Sequence, residues 1–145
     1  MVSGVSQRRA AKLLRVDRKT VVRRFRFLAQ QARSQQAEWL EHYKKHPLAS
    51  VQFDDLETSI HSKCQPVSVA LAVEPKLRKI ISFHVSPMPA KGRLAEFSRR
   101  KYGPRKDERP QGWTRLMEDL KPHVQSDAEF TSDENPHYPA FVKKH

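Results

Sequence analysis

Residues 6–25 restrict the start of this chain more than any other stretch. They read S-Q-R-R-A-A-K-L-L-R-V-D-R-K-T-V-V-R-R-F. Ala11, Val16 and Val21 recur at equal intervals. That spacing suits two helices crossing closely: a small residue at the crossing, an apolar plug in the turn, and an apolar residue packing the second helix back on the first. Ser6 is placed to cap the first helix and Asp17 the second, each accepting from first-turn N–H groups. Ala10, Ala11, Leu13 and Leu14 give the first helix an apolar face. Val21, Val22, Phe25 and Leu28 give the second a stripe at spacings of three and four. Arg15 stands where such a turn usually has glycine, and a left-handed angle there costs on the order of 1 kcal/mol. Residues 32–42 read as a further, polar helix anchored by Trp39 and Leu40. His46-Pro47 ends it, because proline disfavours helical geometry in the residue before it.

The charge on this segment points to its partner. Lys and Arg number 28 against 16 Asp and Glu, a net +12. Polyphosphate is the commonest counter-charge for such an excess. A helix pair of this form lays its second helix in the major groove of double-stranded DNA. Arg18, Lys19, Thr20, Arg23 and Arg24 would then face the duplex. More of them should touch phosphate than base edges, because phosphate contacts dominate such interfaces. No apolar run approaches the length of a membrane span, so no membrane partner is expected. The first ten residues lack the apolar core of a secretory signal. A single cysteine, Cys64, allows no disulfide within the chain and suits the reducing cytoplasm. Apolar content of 37% is low for a self-sufficient globule, so the chain is expected to be elongated or to lack part of a core.

Beyond Pro47 the pattern changes to strands. Residues 50–53 alternate, residues 66–73 carry valine at alternate positions, and residues 78–85 form the next run after a turn at 74–77. Short connections predict an antiparallel three-strand meander. Residues 90–110 read as a basic loop. Residues 113–120 then fit a helix with Trp113, Leu116, Met117 and Leu120 on one side. Residues 128–131 fit a short strand, and residues 136–142 the first turns of another helix. The expected organisation is a DNA-binding domain over residues 1–46 and an α+β or α/β domain over residues 47–145.

Two acidic motifs follow the helix pair: V-Q-F-D-D-L-E-T over residues 51–58 and T-S-D-E-N-P-H-Y-P over residues 131–139. With the helix-turn-helix before them, they make the chain resemble bacterial insertion-sequence transposases with an RNase H-like DDE core. The resemblance covers most of the chain. It implies that the second domain is a partial RNase H-like fold, in which the first catalytic Asp stands on the first strand and the second follows the fourth. Asp54 and Asp133 match these positions, and both would bind Mg²⁺ or Mn²⁺. Hard divalent cations take oxygen ligands, and paired metals stabilise the attacking and leaving oxygens of an in-line phosphoryl displacement. The implied activity is metal-dependent cutting and rejoining of element-end DNA, in the cytoplasm at the nucleoid, with self-association open.

The residues themselves favour the same two acids. Asp54 shares a strand face with Gln52, opposite Val51 and Phe53. Asp55 should point the other way, and Asp127 precedes its strand. The family's third carboxylate would stand on a helix well downstream of Asp133. Glu134 is too near and Glu118 comes too early, so the chain resembles a truncated copy that binds DNA without transferring strands. Relatives commonly carry a Cys-rich zinc ribbon before the helix pair, and nothing like it precedes Met1. The alternative is a non-enzymatic helix-turn-helix regulator whose second domain dimerises or senses a ligand.

Three further signals are weaker. Lys91, Arg93, Arg99, Arg100, Lys101, Arg105, Lys106 and Arg109 either grip phosphate or form a solvated loop. His61 and Cys64 have the spacing of one zinc pair, but a site needs about four donors. His84 reads as a strand-surface residue.

Overall fold

The computed structural model describes residues 5–133 together with Tyr138 and Val142. The described residues 5–133 are mixed α and β: four α-helices and a four-stranded mixed sheet. The chain divides into two compact units, Met1–Trp39 and Leu40–His145.

In the first unit, helix α1 runs Gln7–Leu14. Ser6 caps it, its Oγ accepting the Arg9 N–H at 3.2 Å. Arg15 ends it in the left-handed region, φ 50° and ψ 42°, as the turn requires. The Val16 N–H donates to the Ala11 carbonyl at 3.1 Å and closes that turn. Asp17 then accepts the Lys19 N–H on Oδ1 at 2.7 Å, and α2 begins at Arg18.

Helix α2 is one continuous element of 28 residues, Arg18–Lys45. The two helices expected there are not separate, because neither glycine nor proline interrupts residues 18–45. Packing between α1 and α2 is confined to one seam. Ala11 is buried and Val21 and Val22 are half-buried. Leu13, Leu14, Phe25 and Leu28, expected on the packed faces, and Val16, expected to plug the turn, are all exposed. Two helices share one line of contact, which cannot enclose a stripe wider than the crossing residues.

The second unit holds the sheet. Strand β1 is Leu48–Ser59, β2 Pro66–Glu74, β3 Lys79–Pro87 and β4 Val124–Thr131, in the order β3-β2-β1-β4. The meander β1-β2-β3 is antiparallel, as expected. β4 joins it parallel to β1. A parallel neighbour needs a crossover, which here carries α3 (Leu94–Tyr102), α4 (Arg109–Leu120) and a 3₁₀ turn, Lys121–His123. The stretch expected as a loop thus contains α3, bounded by Gly92 and Gly103, both at positive φ.

α4 covers one face of the sheet. Val51, Phe53, Ala70, Ala72 and Ile81 meet Trp113, Leu116, Met117 and Leu120 in the core. Phe53 and Trp113 stack edge-on at 5.7 Å between centroids, and Tyr138 lies 5.1 Å from Phe53 and 4.7 Å from Trp113. Gly112 brings α4 onto β3: a Cβ there would lie 2.0 Å from Ser86 Oγ and 3.0 Å from His84 Cδ2. His84 is therefore half-buried beneath α4, not on an open surface. The opposite sheet face leaves Leu56, Ile80, Phe83 and Val85 exposed. Tyr43 and His123 are buried in this unit, and Cys64 is buried where its carbonyl accepts the Ser98 hydroxyl at 2.6 Å. Apart from Tyr138 and Val142, the helix expected over residues 136–142 lies outside the described residues. No helix is long and apolar enough to cross a membrane among the described residues.

Candidate functional site

Two surfaces bear on function, one in each unit. The first is the start of α2. Arg18, Lys19, Thr20, Arg23 and Arg24 are all exposed. Arg18, Lys19 and Arg23 line a shallow depression of about 400 Å³ with Val22 and Arg26. Thr20 and Arg24 do not line it. Arg26 was missed by sequence reasoning, although its spacing of three from Arg23 and four from Val22 puts it on the same helix face. Asp17 is the only acid before Glu38, and its carboxylate is engaged in capping. None of these cations has an ion-pair partner among the described residues. The surface therefore has uncompensated positive charge and room for an anionic ligand.

The second surface follows from the pairing of β1 with β4. Val51 pairs with Phe130 and Gln52 with Thr131, in parallel register. Paired residues of parallel strands point to the same side. Val51 is buried and Phe130 half-buried on the covered face, while Gln52 and Thr131 are exposed on the other. Two residues further along each chain stand Asp54 and Asp133, both exposed. The pairing stops at Gln52 and Thr131, so both acids lie just beyond the last β1–β4 pair, Asp54 still within β1 and Asp133 after the end of β4.

Their local settings differ from those of nearby acids. Asp54 Oδ1 accepts the Asp55 N–H at 2.7 Å, and its side chain opens on a depression lined by Gln52, Leu71, Val73 and Arg78. Asp55 turns to the covered face and accepts the hydroxyl of buried Ser68 at 2.5 Å. Asp54 is not at a strand end as expected: β1 continues to Ser59, because residues 55–59 pair with residues 66–70 of β2. Asp127 lies inside β4, since that strand begins at Val124. Among the described residues no three His, Cys, Asp or Glu side chains gather as a metal site.

The far half of β1 is tied to the basic segment. Lys91 Nζ donates to Glu57 Oε1 at 2.6 Å, and Arg109 Nη1 lies 3.5 Å from the same oxygen. Arg109 also grips Asp107 through Nε at 2.9 Å and Nη2 at 2.6 Å. That hydrogen bond holds the Asp107 carboxyl below its ordinary range and raises the guanidinium of Arg109. Lys91 and Arg109 are thus committed to acids of this protein. Arg93, Arg99, Arg100, Lys101 and Lys106 have no ion-pair partner among the described residues. Neither Glu57 nor Asp107 was singled out by sequence, because pairing across the fold leaves no local pattern.

No protein-family model, no curated protein and no solved structure matches this chain.

Proposed function

We propose that this chain is a DNA-binding protein of the DDE transposase kind. In this reading α1 and α2 act as a helix-turn-helix on double-stranded DNA. The Leu40–His145 unit acts as a partial RNase H-like domain. The observation that supports it is the parallel β1–β4 pairing, which ends at Gln52 and Thr131, two residues before exposed Asp54 and exposed Asp133.

The donor set suits magnesium or manganese. Magnesium is commonly held by one or two carboxylates, with water and substrate phosphate completing its shell. Asp54 and Asp133 would hold the ion, and Asp54 keeps an oxygen free after accepting its neighbour's N–H. When bound, such an ion stabilises charge on the oxygens of a phosphoryl displacement. The residues themselves do the binding and orienting. Arg18, Lys19, Arg23 and Arg26 neutralise phosphates along the groove, and Thr20 and Arg24 extend that contact. Asp55 stays engaged with Ser68 and fixes the β1 backbone beside the ion site.

The test is binding to a labelled duplex by the full chain. Arg18, Lys19 and Arg23 replaced together by Ala should remove duplex binding, with helix content unchanged by circular dichroism. Wild-type affinity should fall steeply with salt as counterions are released. Undiminished binding by the triple variant would remove the groove assignment.

A further inference from the structure

α3 presents an aromatic ring set among cations. Phe97 is 46% exposed. Arg93 precedes it by four residues, and Arg100 and Lys101 follow by three and four. On a helix these four side chains share one face. Lys101 Nζ lies 5.8 Å from the Phe97 ring centroid and 5.3 Å from that of Tyr102. The only acid in the helix is Glu96, in its first turn. As shown above, Arg93, Arg99, Arg100 and Lys101 have no ion-pair partner among the described residues.

This surface is also held in place. The Ser98 hydroxyl, itself buried, donates to the Cys64 carbonyl at 2.6 Å and ties α3 to the turn between β1 and β2. Lys91 anchors the approach through Glu57. Gly103 donates its N–H to the Arg99 carbonyl at 2.9 Å and stops the helix. A fixed, half-exposed ring flanked by free cations calls for a ligand with both a flat face and negative charge. An unpaired DNA strand has both: bases stack on the ring and phosphates meet the cations. In a duplex the base faces are already stacked, so the ring would have little to meet.

We propose that α3 binds single-stranded DNA, with Phe97 stacking on a base and Arg93, Arg100 and Lys101, on the same helix face, meeting the flanking phosphates. This site is separate from the α2 surface and does not depend on the Asp54–Asp133 pair. Charge complementarity selects the occupant. An acidic protein would use the cations but not the ring. A membrane would need a longer apolar face than this nine-residue helix provides.

The test uses the full chain and a labelled oligo-dT of about a dozen nucleotides, followed by fluorescence anisotropy. Phe97→Ala should weaken oligo-dT binding roughly tenfold and leave duplex affinity unchanged. Phe97→Trp should restore oligo-dT binding, with the new indole emission quenched on addition of the strand. Replacing Arg100 and Lys101 by Ala should weaken binding and flatten its salt dependence. Three results would overturn the proposal. One is wild-type oligo-dT binding by Phe97→Ala. Another is an equal loss on duplex and single strand. The third is oligo-rU bound more than about tenfold tighter than oligo-dT, which would make RNA the ligand.

Discussion

Replacing Gly112 by Ala should destabilise the second unit, although the same change in an ordinary helix stabilises it. The added Cβ would stand 2.0 Å from Ser86 Oγ, 3.3 Å from Ser86 Cβ and 3.0 Å from His84 Cδ2. The shortest contact is to the Ser86 hydroxyl, which must be displaced, and the other two press on Ser86 Cβ and the His84 ring of β3. Ser86 is 2% exposed, so there is no outward path for it. Overpacking of this kind costs about 1–3 kcal/mol, and a contact this short belongs at the upper end. Against it stands a helix-propensity gain of roughly 1 kcal/mol for Gly→Ala. The net should be about 1–2 kcal/mol of destabilisation. Urea unfolding followed by tryptophan emission would read it, since buried Trp113 adjoins the substituted position. A double-mutant cycle separates the causes: with Ser86→Ala already present, the cost of Gly112→Ala should shrink by more than half. If Gly112→Ala raised the urea midpoint, the close approach of α4 to β3 would be wrong.

Other expectations concern the crossing, the buried imidazole and the ion network. Ala11→Leu should separate α1 from α2 and lower helix content on the thermal melt of the first unit, because Ala11 is the buried residue of α1. His123 is held below its usual pKa chiefly by burial, then by Lys44, so it is neutral in the folded protein at neutral pH. The unfolded chain binds the extra proton first, so stability from this group is whole above the unfolded value near 6.5 and is lost as pH falls through the lower folded value. His123→Asn should flatten the fall of melting temperature below about pH 6.5, and an unchanged slope would mean another group controls it. Glu57→Gln should cost less than about 1 kcal/mol in urea unfolding, because the Lys91 and Arg109 pairs it serves are solvent-exposed in part.

The fold was legible where residues repeat with a period. Valines at alternate positions marked β2, and Trp113, Leu116, Met117 and Leu120 marked the buried side of α4. In the first unit the local signals were legible: the Ser6 and Asp17 caps, the left-handed Arg15 and buried Ala11, whereas Val16, expected to plug the turn, is 41% exposed. Helix α3 was not, because its charged residues and single phenylalanine give no apolar stripe. The continuity of α2 was missed because its polarity after Leu28 suggested a second element, whereas a helix ends at a breaker or a cap and none stands there. Leu13 and Leu14 were expected inside, yet burial depends on how much surface a partner can cover, which no local pattern records. For the candidate site, strand alternation separated Asp54 from Asp55 correctly, and the Ser68 hydroxyl that engages Asp55 explains why. Whether Asp133 meets Asp54 depends on β1 and β4 being neighbours, a fact of topology that neither motif contains.

The most direct test of the paired carboxylates is Mn²⁺ titration of ¹⁵N-labelled protein followed by amide line broadening. One weak site should broaden the amides of Asp54, Asp55, Thr131 and Asp133 first. Either Asp54→Asn or Asp133→Asn alone should abolish that selectivity. Broadening centred elsewhere, or selectivity that survives both single substitutions, would contradict a shared ion site and leave only the cationic surfaces to account for function.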